Sequence, residues 1–228
     1  MAKNKPETTD TNVEAIENAL TRTEQYIENN QKSLTIIVLA IIVIVGSFIG
    51  YKRLYIAPME KEAQSQIFMA EQYFEKDSFN LVLNGDGNYL GALDIIDSYG
   101  PTKTANLAHY YAGISYRQIG QYELAITHLK KFSSSEKMVG AIALGSIGDC
   151  YVQLDKLSDA VKYYAKAADL AKNDFATPIY LMKAAMVYEE LGKLNDALNA
   201  YKQIKDNYPK STEARDIEKF ITRVELKK

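Results

Sequence analysis

A second cysteine is missing from this sequence, and its absence excludes whole classes of chemistry. Cys150 stands alone among 228 residues, so the chain holds no intramolecular disulfide and no cysteine-based zinc site. In its apolar surroundings it reads as a core residue rather than a reactive thiol. Histidine is nearly as scarce. His109 and His128 lie nineteen residues apart on different expected helices, with no neighbouring cysteine or paired carboxylate at metal spacing. They read as ordinary helix residues, His109 packed and His128 exposed. No glycine-rich phosphate loop follows a strand, so the expectation is a non-enzyme that needs no cofactor and no metal. The formal charge of −2 comes from interspersed Lys and Glu with no basic block. Nucleic acid is therefore not an expected partner.

What the sequence does have is one long run without charge. From Leu34 to Tyr51 it reads LTIIVLAIIVIVGSFIGY, and 18 helical residues span roughly 27 Å, close to the thickness of a bilayer's hydrocarbon core. Some thirty polar residues precede this run, which is unlike a cleaved signal peptide, and an uncleaved anchor is expected. Lys32, Lys52 and Arg53 can snorkel to its two interfaces, where Tyr51 and Tyr55 also sit. Positive charges on the two sides nearly balance and do not set an orientation. Within the span, Gly46 and Gly50 have the spacing that lets two helices pack closely, so a homodimer through this helix is one expectation. Ahead of it, Thr11 and Glu14 read as a capping box, and Val13, Ile16, Leu20 and Ile27 mark an amphipathic helix, either a coiled-coil seam or a membrane-surface helix.

Beyond Pro58, which is expected to interrupt or redirect the helix leaving the membrane, the chain reads as helical. The exception is Ser78 to Asn88, whose Asn-Gly and Asp-Gly pairs predict a turn-rich loop. A packing pattern recurs here. Tyr188, Gly192, Leu194, Ala197 and Tyr201 align with Tyr116, Gly120, Tyr122, Ala125 and Leu129, and with Tyr151, Asp155, Leu157, Ala160 and Tyr164. The equivalent alanines, with Ala92 as an earlier member, are 33, 35 and 37 residues apart, which is the period of a helix-turn-helix solenoid. Gly113, Gly148 and Ala185 are small so that two helices can approach, with the Tyr three residues later expected to fill the space beside them. Gly120, Gly192 and Asp155 end first helices in a left-handed conformation. Ala125, Ala160 and Ala197 sit at helix crossings, and Pro209 stops the last second helix.

These residues resemble the tetratricopeptide repeat family, although its usual first-helix Trp is replaced by His109, Leu144 and Leu181. The expected fold is all-α: one transmembrane helix, then an α-solenoid of repeats and a capping helix. Its divisions are a polar region with the amphipathic helix (1–33), the span (34–51), a juxtamembrane linker (52–58), a degenerate first repeat with a loop insertion (59–105), three repeats (106–140, 141–177 and 178–210) and the cap (211–228). In layout the chain is also similar to the membrane-anchored repeat proteins that accompany the bacterial Sec translocon. That resemblance implies an N-terminus in the cytoplasm and a repeat domain on the periplasmic side of the inner membrane.

Carried over from the repeat family, the binding stripe of the first helices falls on Tyr110, Ile114, Arg117 and Gln118, then Ile142, Asp149, Val152 and Gln153, then Ile179, Met182, Met186 and Glu189. The implied groove is mostly apolar and suited to helical or extended apolar segments. The expected function is a membrane-anchored scaffold or chaperone-like adaptor. The alternative is an architectural subunit with one permanent partner.

Overall fold

The structure, a computed structural model, describes residues 24–228 and divides them into two units that meet between Ala57 and Pro58. The proposed capping box at Thr11 and the apolar positions Val13, Ile16 and Leu20 lie outside the described residues.

In the first unit, helix α1 spans Gln31–Tyr51 and buries none of its residues. Its β-branched residues are poor helix formers in water, whereas in an apolar solvent a backbone has no partner but itself and such a run would be held helical. A window of 18 residues here has a mean hydropathy of 2.7, so this helix is long and apolar enough to cross a membrane. A π-turn over Lys52–Ile56 follows, in which the Ala57 N–H bonds the Lys52 carbonyl. Pro58 does not stop the helix. The helical backbone runs from Gln31 to Glu75, with the π-turn re-pairing the ladder just ahead of the proline that lacks a donor.

The second unit begins at Pro58, the second residue of α2 (Ala57–Glu75), and continues with two short helices, α3 (Phe79–Asn84) and α4 (Ala92–Ser98). The stretch from Ser78 to Asn88 is thus half helix, because Val82 and Leu83 are buried against Ile67, Ala70 and Ile95. Only its second half turns, at Gly85 (φ 71°) and Gly87 (φ 89°), where Asp86 accepts the N–H groups of Asn88 and Tyr89.

Three helix pairs follow: α5 (Lys103–Gln118) with α6 (Tyr122–Lys131), α7 (Lys137–Gln153) with α8 (Leu157–Ala171), and α9 (Ala176–Glu190) with α10 (Leu194–Asn207). The cap α11 covers Ile217–Leu226 and buries Ile217, Ile221 and Val224. Each helix packs on its sequence neighbour, and α7 also touches α5 and α9, which is the stacking of a solenoid. Among the described residues there is no strand.

The repeat pattern has a direct steric cause. A Cβ on Gly113 would come within 2.5 Å of Leu129, and one on Gly148 within 2.6 Å of the Tyr164 ring. The small residue therefore makes room for a large one on the second helix, not for the Tyr three residues ahead of it as the sequence suggested. Ala185 and Tyr201 share a cluster in the third pair. Ala125, Ala160 and Ala197 are wholly buried. First helices end in left-handed residues, Gly120 at φ 78°, Asp155 at 56° and Gly192 at 70°.

Several contacts tie α2 to α5, among them the Tyr111 hydroxyl donating to Glu71 and the Phe74 ring against Tyr111. Glu60 accepts the Lys103 N–H at 2.6 Å and the Thr104 hydroxyl at 2.8 Å, so a carboxylate from the start of α2 caps the N-terminus of α5. Burial alone would raise the Glu60 pKa, but these hydrogen bonds outweigh it and hold the group below its ordinary value.

Candidate protein-binding face

The first helices α5, α7 and α9 bring part of the expected stripe together around one carboxylate. Asp149 projects from the C-terminal part of α7. Its Oδ2 accepts Arg117 of α5 at 2.9 Å, while its Oδ1 accepts Lys183 of α9 at 2.6 Å and the Tyr164 hydroxyl of α8 at 2.7 Å. Three successive repeats are thus joined through one side chain. The Lys183 ammonium also lies 5.6 Å from the centre of the Tyr164 ring. Burial, the Asp149 charge and its hydrogen bond all push the Tyr164 hydroxyl pKa far up, so this phenol stays a donor.

A cleft of about 400 Å³ opens beside this cluster, lined by Arg117, Gln118, Asp149, Val152 and Gln153 together with Tyr122 and Tyr164. Five expected stripe residues therefore share one cavity. Its walls are polar where the sequence implied an apolar groove. The cause is register: the stripe position on α7 carries Asp149, which draws in cations one repeat before and one repeat after it. Another groove, of about 380 Å³, lies between α8, α9 and α10 and contains none of the stripe residues.

The remaining positions divide into exposed and internal. Ile142 is 38% exposed and Met186 52%, and Gln118 and Gln153 are open to solvent, while Ile179 and Met182 are half-buried. Ile114 is different. It is 6% exposed, in a cluster with Leu129, Ala143, Ile147 and Cys150, so it fills the seam between the first and second repeats and offers a partner almost no surface. Tyr110 is half-buried against Phe132, ring centres 5.1 Å apart, and burial raises its pKa.

Glu189 is also taken up internally. Its side chain is 8% exposed; Oε1 accepts the Tyr201 hydroxyl at 2.8 Å and Arg223, and Oε2 accepts Lys227 at 3.1 Å. Burial raises its pKa, and the bonds from Arg223, Tyr201 and Lys227 more than reverse that, leaving it below the usual carboxylate value. The cap α11 thus closes this end of the stripe.

Lys183, Arg223 and Lys227 were not singled out in the sequence, and Tyr164 was read only as a packing position, although a signal exists. The ion pairs join residues 32 (Arg117–Asp149) and 34 (Asp149–Lys183, Glu189–Arg223) positions apart, one repeat period in each case. Opposite charges at that spacing mark a bridge between neighbouring repeats. His128, expected to be exposed, is half-buried, and its ring meets that of His109 across α5 and α6.

Comparison with known proteins supports the repeat assignment. Two family models, both described as tetratricopeptide repeat, match the chain, one over residues 107–135 and 180–211 and the other over 141–174. Among solved structures, the chain is similar to the tetratricopeptide-like repeats of a kinesin light chain from Podosopora anserina and to a single-residue variant of them. Identity is 11% and the TM-score 0.51 for each, with 72% of this chain covered against 86% of the first and 85% of the variant. At that identity the likeness is one of fold. No curated protein is matched by the sequence. Over those residues the chain matches tetratricopeptide repeats, modules that in general mediate protein–protein contacts.

Proposed function

We propose that this chain is a membrane-tethered scaffold that holds segments of partner proteins on the face formed by α5, α7 and α9, as a chaperone-like accessory of protein translocation or envelope biogenesis. The observation that carries this reading is the pair Ile142 and Met186, apolar side chains left open to water on α7 and α9, the helices that also carry Asp149 and Lys183. An adaptable Met and an Ile on helices that also bear fixed charges suit a segment that is part apolar and part acidic, since two cations there surround one carboxylate. The apolar helix α1, which shows its side chains on every face, supports tethering; a repeat unit on the periplasmic side and an N-terminus in the cytoplasm follow from the layout resemblance alone. Open space around Gly46 and Gly50 is compatible with a second copy packing there.

A photocrosslinking residue at Ile142 or Met186, compared with one at the exposed Lys162 of α8, tests the reading in native membranes. Capture of many substoichiometric clients from the first two positions supports an adaptor, and one stoichiometric companion supports an architectural subunit. Equal capture from Lys162 removes the face from consideration. External protease on spheroplasts, which should remove a C-terminal tag and spare an N-terminal one, tests the orientation separately.

A further inference from the structure

The only two histidines of the chain meet inside the first repeat. His109 of α5 and His128 of α6 hold their Nδ1 atoms 3.1 Å apart, with ring centres at 5.2 Å and planes tilted by 47°. One Nδ1 carries a hydrogen at that separation and the other accepts it. Tyr116 packs on the His128 ring at 5.4 Å between centres, and both imidazoles are half-buried, so their rings are held in place without being sealed from solvent.

Two imidazole nitrogens bound to one tetrahedral zinc ion lie about 3.3 Å apart, given bonds near 2.05 Å. The two helices therefore already set the rings at almost the spacing a shared ion requires. We propose that His109 and His128 form a two-imidazole chelate for a first-row divalent metal ion, Zn²⁺ or Cu²⁺, which ties α5 to α6 while water completes its coordination. The ring that donates through Nδ1 moves its proton to Nε2, so two neutral imidazoles take the ion with no net proton release. Both are neutral at pH 7, because burial lowers their pKa values, for His128 to about 4, with His109 and Lys131 adding to the effect there. The surrounding charges oppose one another. Lys131 on α6 repels a cation from both rings, whereas Asp97 on α4 favours positive charge at His128.

The absence of any other histidine makes the test clean. Full-length protein in detergent micelles, without a histidine tag, is titrated with Cu²⁺ alone and examined by electron paramagnetic resonance, and its melting is followed with and without excess Zn²⁺. The expected result is a copper signal with two coupled imidazole nitrogens and a melting temperature raised by several degrees, with His109→Gln and His128→Gln each abolishing the zinc effect. A copper signal with one imidazole nitrogen or none overturns the proposal. It is equally overturned if zinc leaves the wild-type melting temperature unchanged, or raises those of the variants as much. The copper measurement needs only the wild-type chain, so a variant that fails to fold leaves the test intact.

Discussion

Asp149 and Glu189 are the same device placed at two points on one face, and they differ in what covers them. Each carboxylate accepts two cations and a tyrosine hydroxyl from neighbouring helices. At Glu189 the cations are Arg223 of the cap α11 and Lys227 just past its end, and the carboxylate is shut away at 8% exposure. At Asp149 they come from the repeats on either side, and the carboxylate remains 25% exposed, with Arg117 at 27% and Lys183 at 39%. The chain's own last helix thus occupies one end of the stripe. The middle keeps its charges within reach of another molecule.

Unseating the helix pair that carries Asp149 should have the largest effect. Ala160→Glu puts a charge and extra volume at a fully buried crossing of α8 on α7, and should cost at least about 3 kcal/mol. Asp159→Ala removes only a surface pair with Lys162 and should cost less than about 0.5 kcal/mol. Equal melting temperatures for the two variants would refute the register. Next comes Asp149→Ala, which leaves Arg117 and Lys183 without their anion and the Tyr164 hydroxyl without its acceptor. We expect a loss of about 2–3 kcal/mol in chemical denaturation, below that of a fully buried pair because the site is partly wet. A loss under 0.5 kcal/mol would mean that the cluster does not join the repeats.

Glu189→Gln should follow at about 1–2 kcal/mol, since the amide still accepts from Tyr201 but loses its charge. The pH dependence sharpens this contrast. The folded pKa of Glu189 lies below its unfolded value, so its contribution is complete above that unfolded value and is lost as the pH falls through the folded one. The melting temperature of wild type should therefore drop more steeply below pH 4.5 than that of Glu189→Gln. His109 and His128 act in a higher window. Both folded pKa values are depressed, that of His128 to about 4, so stability is full above about 6.5 and declines as the pH falls below it. His128→Gln should flatten the melting curve between pH 7 and 5, and an unchanged slope would show that the pair does not titrate with folding.

The offsets among Tyr116, Gly120 and Ala125 made the helix pairs legible, because sterics at a helix crossing leave few residues to choose from and the choice repeats. The long apolar run of α1 was legible for a similar reason. The face was only half so. Counting along the repeat reached Arg117, Asp149, Ile142 and Met186, but a position names a direction and not what lies there. Ile114 points the right way and meets α7. Glu189 also does, and it meets α11, a helix whose placement depends on tertiary contacts of Phe220 and Ile221 with Tyr201 that no local pattern encodes. The histidines show the same limit, since nineteen residues of sequence become 3.1 Å only when α6 folds back on α5.

If the face around Asp149 is open for a partner, charge placed on its apolar flanks must block that partner without disturbing the cluster. In the full-length protein, Ile142→Glu combined with Met186→Glu should leave the melting temperature within about 2 °C of wild type, because both side chains are already in water. Crosslinked capture of partners from native membranes should fall by a factor on the order of a hundred, two contacts of roughly 1.5 kcal/mol each being lost. Full capture by a stably folded double variant would contradict the account.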